Sequence, residues 1–225
     1  MAIMQGYPKA HQNRIHGSDK TVRISRKAFM KAAGLNFLLL QILFLGLFCY
    51  VFGSIWQQTS HIHNLNVVFV DYDGGLLGIA LRDAYKTLQG DAFPTLQEAS
   101  SNQFPTPGDL KDEVCKTHYW AAIYISQGAS ERLANALPGG APASTYNRSD
   151  VLTFIWNEAR YPTAIDADIE GSLATLSSSA RVEYSAINGT GALQILNSTD
   201  PNAISVFANP WELTNINIQP TGQGA

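Results

Sequence analysis

The distribution of apolar positions divides the chain at Trp56. Ala32 to Trp56 reads AAGLNFLLLQILFLGLFCYVFGSIW, with no charged residue and with Leu, Phe, Ile and Val on every side of a helical wheel. A helix packed in a soluble domain keeps a polar face, so this pattern predicts a membrane-spanning helix over 32–56. At about 1.5 Å per residue, Leu35 to Ile55 reaches roughly 30 Å, the thickness of a bilayer's hydrocarbon core. Asn36 and Gln41 are the amides of this stretch, groups that a neighbouring helix would satisfy. Tyr50 and Trp56 suit the far interface as aromatic anchors.

Beyond Trp56 the apolar period changes. Gln57 to Asn64 is polar and reads as a stem. Leu65 to Val70, LNVVFV, is a β-branched strand run that ends in Asp71-Tyr72-Asp73-Gly74-Gly75, and Leu76 to Leu88 carries apolar residues at helical spacing. A second strand is predicted near Ala92 to Leu96, then a Pro-rich link and a short helix from Asp109 that starts near Thr106 or Gly108. Tyr119 to Ile125 reads as a buried strand. It is followed by an amphipathic helix over 129–137, stopped by Pro138-Gly139-Gly140, and by a strand over 151–157. A long helix is predicted from Thr163 to Ile187, and the tail from Asn188 is expected to be loop with one strand near Ile204 to Phe207. Strands alternating with helices predict an α/β domain over 65–225 with a mainly parallel sheet.

Charge orients this plan. Lys9, Arg14, Lys20, Arg23, Arg26, Lys27 and Lys31 precede the span against the single acid Asp19, whereas the remainder holds eight basic and seventeen acidic residues. The basic 1–31 tail, polar and disordered at its start, is expected on the cytoplasmic side, and the domain is expected outside the cell or in the lumen. Three sequons agree with that side: Asn147-Arg-Ser149, Asn188-Gly-Thr190 and Asn197-Ser-Thr199 are candidate glycosylation sites. A cleaved signal peptide fits less well, because the apolar run is too long and its basic preface too extended. Cys49 lies in the span and Cys115 beyond it, so no disulfide is expected within the domain. Nothing in the composition points to nucleic-acid binding or to a cofactor; the expected partners are the lipid bilayer and other membrane helices or a second copy.

Asp71 and Asp73 carry the one pattern that suggests chemistry. Asp-x-Asp-Gly after an apolar strand resembles the opening motif of haloacid-dehalogenase-type phosphatases, where the first Asp attacks phosphorus and the second is a general acid. That chemistry needs Mg²⁺, a cation and further acids, yet no Lys follows Lys116 and the Thr that usually follows the Gly is missing. The metal-binding Asp-x-Asp of glycosyltransferases is a second possibility, and shares the short tail, single span and outer domain. The third is a turn: Asp, Asp and Gly end a strand and cap the bend. This last is the preferred reading, and a type II membrane enzyme using Asp71 and Asp73 is its alternative. His61-x-His63 lacks further metal ligands nearby in sequence. Cys115 with His118 lacks a third group to orient the imidazole. Glu158, Arg160, Asp166, Asp168 and Glu170 read as polar surface positions, and Trp120, Trp156 and Trp211 as core or interface.

Three blocks, NLNVVFVDYDGGLLG, YWAAIYISQGASERLANAL and FIWNEARYPTAIDADIEGSLATLSSSARVEY, resemble the fungal nitrosoguanidine-resistance membrane protein family, itself similar to the ABC type 2 exporter and phage-infection-protein families. The resemblance runs from about residue 32 to 219. It implies a large outer domain after a first membrane helix, and a role in drug resistance or export. It implies no catalytic residue. The family continues into further membrane helices, so these residues are expected to be a fragment or short form that does not transport alone.

Overall fold

A computed structural model describes residues 19–56, 58–160 and 165–220. The tail predicted to be disordered, 1–16, lies outside these residues. The chain divides into two units, Met1–Trp56 and Gln57–Ala225.

Among the described residues the first unit is one helix, α1 (Lys20–Ile55). It starts well before the predicted span, so Arg23, Arg26, Lys27 and Lys31 ride on the same helix as the apolar run. The stretch Val22–Gly53 is long and apolar enough to cross a membrane, and its large apolar side chains are exposed around the whole circumference.

The second unit is an α/β fold around a five-stranded sheet in the order β2-β1-β3-β4-β5. Its strands are β1 (Asn66–Asp71), β2 (Thr95–Ala99), β3 (Ala121–Ile125), β4 (Leu152–Trp156) and β5 (Leu213–Asn217). Pairing is parallel except between β3 and β4, so the sheet is mainly parallel, as the alternation of strands and helices predicts. Among the described residues the α-helices are α2 (Leu76–Leu88), α3 (Pro107–Cys115), α4 (Ala129–Ala136), the single turn α5 (Ala141–Ser144), α6 (Gly171–Ile195) and α7 (Pro201–Ala208). Strand alternation sends Val67 and Phe69 to one face, against α2, α4, α6 and α7, and Val68 and Val70 to the other, against Leu110 and Val114 of α3.

The predicted elements up to β4 stand within a few residues of their places, with one shift. The strand placed near Ala92 to Leu96 runs from Thr95 to Ala99, because Pro94 has no N–H for the ladder and the strand starts after it. Helix α3 starts at a capping box: Thr106 and Asp109 each bond the other's backbone N–H. The stem is a 3-10 turn over Gln58–Asn64, with Ile62 buried.

The region after Asn188 overturns the expectation of a loop. Helix α6, entered through a π turn at Ile165–Glu170, runs on to Ile195. Ala192 and Tyr184 lie in the core, and that packing outweighs the weak helix propensity of Gly189 and Gly191. The strand expected near Ile204 to Phe207 is instead α7. Asp200 accepts from the Asn202 N–H and Pro201 follows at the first helical position, an N-terminal signature that favours helix over strand. The fifth strand lies further on, at Leu213–Asn217.

Candidate functional site

Alternation along β1 continues into the turn after it and separates the three residues of Asp71-Tyr72-Asp73. The two carboxylates turn toward α2 and α4, and the tyrosine turns toward α3. Asp71 is a capping residue. Its Oδ1 accepts from the Asp73 N–H at 3.1 Å and from the Gly74 N–H at 2.8 Å, and Gly74 supplies the left-handed conformation the bend needs (φ 64°). Its Oδ2 accepts from Arg82 Nη2 on α2 at 3.0 Å, with the Asp71 side chain only 5% exposed. Arg82 also donates to Glu98 on β2 at 2.7 to 3.1 Å, and its pKa is raised, by the Glu98 hydrogen bond first, against the opposing effect of burial. Gly78 lets α2 approach this closely, since a Cβ there would overlap the Asp71 carboxylate.

Asp73 is held just as firmly. Its Oδ1 accepts from the Ser130 N–H at 3.1 Å, and its Oδ2 accepts from the Ser130 hydroxyl. The carboxylate therefore fills the anion position at the start of α4. A phosphoryl group would have to displace it. All four carboxylate oxygens of the motif accept from protein donors, and among the described residues no three His, Cys, Asp or Glu side chains converge as metal ligands.

Room for a ligand lies on the other face. The connection from β1 leads through α2 to β2 on one side, whereas β2 leads through α3 to β3 on the opposite side of β1. Strand order reverses at the carboxyl ends of β1 and β3, the place where open α/β sheets leave a crevice. A cleft of about 430 Å³ occupies this region. Tyr72 and Tyr124 supply its aromatic surface, with ring centroids 5.9 Å apart and planes at 73°. Pro105 comes from the β2–α3 link and Pro107 from the start of α3, and Ser101, Ser126, Gln127 and Asp150 supply polar groups. The Tyr72 hydroxyl donates to the Phe104 carbonyl at 2.9 Å and pins the Pro-rich link. Burial, then the Asp109 carboxylate and Tyr124, push its pKa up to about 12.

Residues 36–225 match the model of a family described as "Protein of unknown function (DUF3533)". The chain belongs to the DUF3533 family. No curated protein and no solved structure matches it.

The sequons of this DUF3533 chain differ in their surroundings. Asn147 is exposed ahead of a short 3-10 turn, its Oδ1 accepting from the Ser149 N–H at 3.1 Å. Asn197 makes the same kind of turn, accepting from the Thr199 N–H at 3.1 Å and from its hydroxyl at 2.7 Å. Asn188 sits inside α6, where its Nδ2 donates to the Tyr184 hydroxyl at 3.0 Å.

The remaining sequence-predicted positions are held by ordinary packing. His61 and His63 are 6.5 Å apart by ring centroid, and His63 faces Asp91. His118 has the partner its sequence neighbourhood did not reveal, Glu113 Oε2 at 2.7 Å, but Cys115 makes no hydrogen bond to it among the described residues. Glu113's pKa is lowered, mainly by that His118 bond. Arg160 lies 3.7 Å from the ring centre of Trp120 and donates to the Tyr119 carbonyl, while Asn217 donates to Glu158. The Asn157 to Arg160 block thus ties the far ends of β3, β4 and β5 together. Trp156 and Trp211 are core, and Trp211 donates to Ser177. The Asp166 side chain lies outside the described residues. Sequence reasoning missed the cleft. Its one local signal was Tyr72 between two aspartates at the end of an alternating strand; Tyr124, Pro105 and Asp150 join it only through topology.

Proposed function

We propose that this chain is a single-pass membrane protein with its basic tail in the cytoplasm and a binding domain, rather than a catalytic one, on the extracytoplasmic side. The observation that carries the reading is α1, a 36-residue helix whose large apolar side chains face outward all round. In water that surface is strongly unfavourable; in a bilayer it is the required one. The excess of Lys and Arg before the span, and of Asp and Glu after it, supports the orientation. Asp71 and Asp73 support binding over catalysis, since their carboxylates are engaged by the turn, Arg82 and Ser130, and among the described residues no third acid or His joins them as a metal site would need. The resemblance to the nitrosoguanidine-resistance and exporter families adds the physiological setting, an export-associated role in drug resistance. One helix encloses no path through a bilayer, so translocation in such a setting requires further helices around it.

Topology is tested by expression in a eukaryotic secretory system. We expect glycosidase treatment to increase mobility, with Asn147→Gln removing the largest share of the shift. Asn147 is exposed, whereas a glycan on Asn188 would break the bond to Tyr184 inside a helix. Absence of any shift, with the amino terminus open to external protease on intact cells, would reverse the orientation.

A further inference from the structure

We infer that the cleft lined by Tyr72 and Tyr124 is a binding site for a small organic cation, of the quaternary or tertiary ammonium class. This goes beyond the anchoring reading and does not depend on which side of a membrane the domain faces.

Shape comes first. The cleft lies where strand order reverses and has about 430 Å³ of room, within the range of small-molecule sites. Its aromatic surface is fixed before any ligand arrives. The Tyr72 hydroxyl is committed to the Phe104 carbonyl, and the two rings meet edge to face.

Charge then selects among ligands. Aromatic faces carry negative electrostatic potential and attract cations. Among the described residues Asp150 is the one charged side chain that lines the cleft, and its carboxylate is 63% exposed. Arg132 stands behind it, but that guanidinium is directed to backbone carbonyls, donating to Gln127 O at 2.5 Å and Asp150 O at 2.8 Å. It reaches the Asp150 carboxylate only at 3.5 Å. The Asp150 carboxylate accepts from the Ser126 hydroxyl at 3.5 Å and stands 3.5 Å from Arg132, and it keeps most of its surface exposed at the cleft, while Asp109 adds a second negative charge near Tyr72, as the raised phenol pKa reflects. A phosphate or carboxylate ligand would meet this field with no lining cation. A purely apolar ligand would leave Asp150, Ser126 and Gln127 without gain.

The test compares choline with 3,3-dimethyl-1-butanol, its uncharged analogue of nearly the same shape, on the full chain in a non-ionic detergent micelle. Saturation-transfer NMR and calorimetry read the binding. We expect saturable choline binding, with the neutral analogue at least about tenfold weaker, the size of effect that a cation held by aromatic faces and a carboxylate commands. Asp150→Asn and Tyr124→Leu should each weaken choline about tenfold, and Tyr124→Phe, which keeps the ring, should leave it unchanged. Gln127→Lys guards against loss of fold as an explanation: Gln127 is exposed, and a like charge at the lip should abolish choline binding while the thermal transition stays in place. Equal affinity for the neutral analogue, no saturable choline signal, or choline affinity unmoved by both Asp150→Asn and Gln127→Lys would each overturn the proposal.

Discussion

The two faces of the sheet solve the packing problem differently. On one, helices α2, α4, α6 and α7 close over the strands, and Gly75 and Gly78 let backbone and carboxylate approach so closely that a single added carbon would collide. Asp71, Arg82 and Glu98 form a charge network there, and Asp73 is bound to Ser130. On the other face the nine-residue α3 is the main cover. It leaves Tyr72 and Tyr124 half-buried and Ile216, on the strand beside Ile155, partly exposed. The difference separates two roles that the sequence places side by side. Acidic groups on the sealed face maintain structure, and aromatic groups on the open face have space for a partner.

The sharpest way to break that comparison is Asp71→Ala. The substitution removes the turn cap and leaves Arg82 with one fewer carboxylate, next to a buried position. Arg82 keeps Glu98 as a partner, so we expect a loss of about 3 kcal/mol in unfolding free energy, roughly 1 kcal/mol for the turn cap and about 2 kcal/mol for the charge-assisted bond. Chemical unfolding of the full chain in detergent, followed by tryptophan fluorescence, measures it. A loss below about 1 kcal/mol, as for a surface pair, would show that Asp71 is not locked.

Gly78→Ala tests the same face through sterics alone. In an exposed helix the change stabilises by up to about 1 kcal/mol. Here the new Cβ would overlap Asp71 Oδ2 and lie 3.0 Å from Arg82 Nη1, so we expect the sign to invert, to a loss of about 1 to 2 kcal/mol from overpacking. A stabilised Gly78→Ala variant would mean that α2 has slack against the turn, and the sealed face would not be sealed.

Much of the sealed face was legible in the sequence because its signals are local. The β-branched run before Asp71 and the helical spacing from Leu76 to Leu88 each specify an element within a short stretch of chain. Turn chemistry at Asp71 was legible for the same reason, though its bond to Arg82 depends on how α2 returns over the strand. Legibility failed where tertiary contacts decide. Gly189 and Gly191 argued for a loop, but burial of Ala192 keeps α6 helical through them. The apolar run around Ile204 reads equally as strand or helix, and the Asp200-Pro201 cap settles it. The cleft was illegible because its walls come from four separated segments, assembled only when β3 is placed beside β1 rather than beside β2.

The smallest expected effect, Tyr72→Phe, tests the open face. At neutral pH the variant loses the hydroxyl's bond to Phe104 O but keeps the ring. The expected cost is about 1 kcal/mol, the usual net value of one such bond. The dependence on pH carries more information. Tyr72 has a folded pKa of about 12 against an ordinary value of 10.0, raised first by burial and then by Asp109 and Tyr124. A raised pKa means that the folded state holds the proton more tightly, so the stabilising contribution is complete below about pH 10 and is lost as pH rises toward 12. Phe cannot ionise. The stability gap between wild type and Tyr72→Phe should therefore be constant through neutral pH, shrink above about pH 10 and close or reverse near pH 12. The other tyrosines, including Tyr146 and Tyr184 with their raised pKa values, occur in both proteins and cancel in the difference. Unfolding of the pair between pH 7 and 12 measures the gap. A gap that stays constant across this range would show Tyr72 to be ordinarily hydrated, and the face beneath α3 would then lack the desolvated, negatively polarised wall that distinguishes it from its opposite.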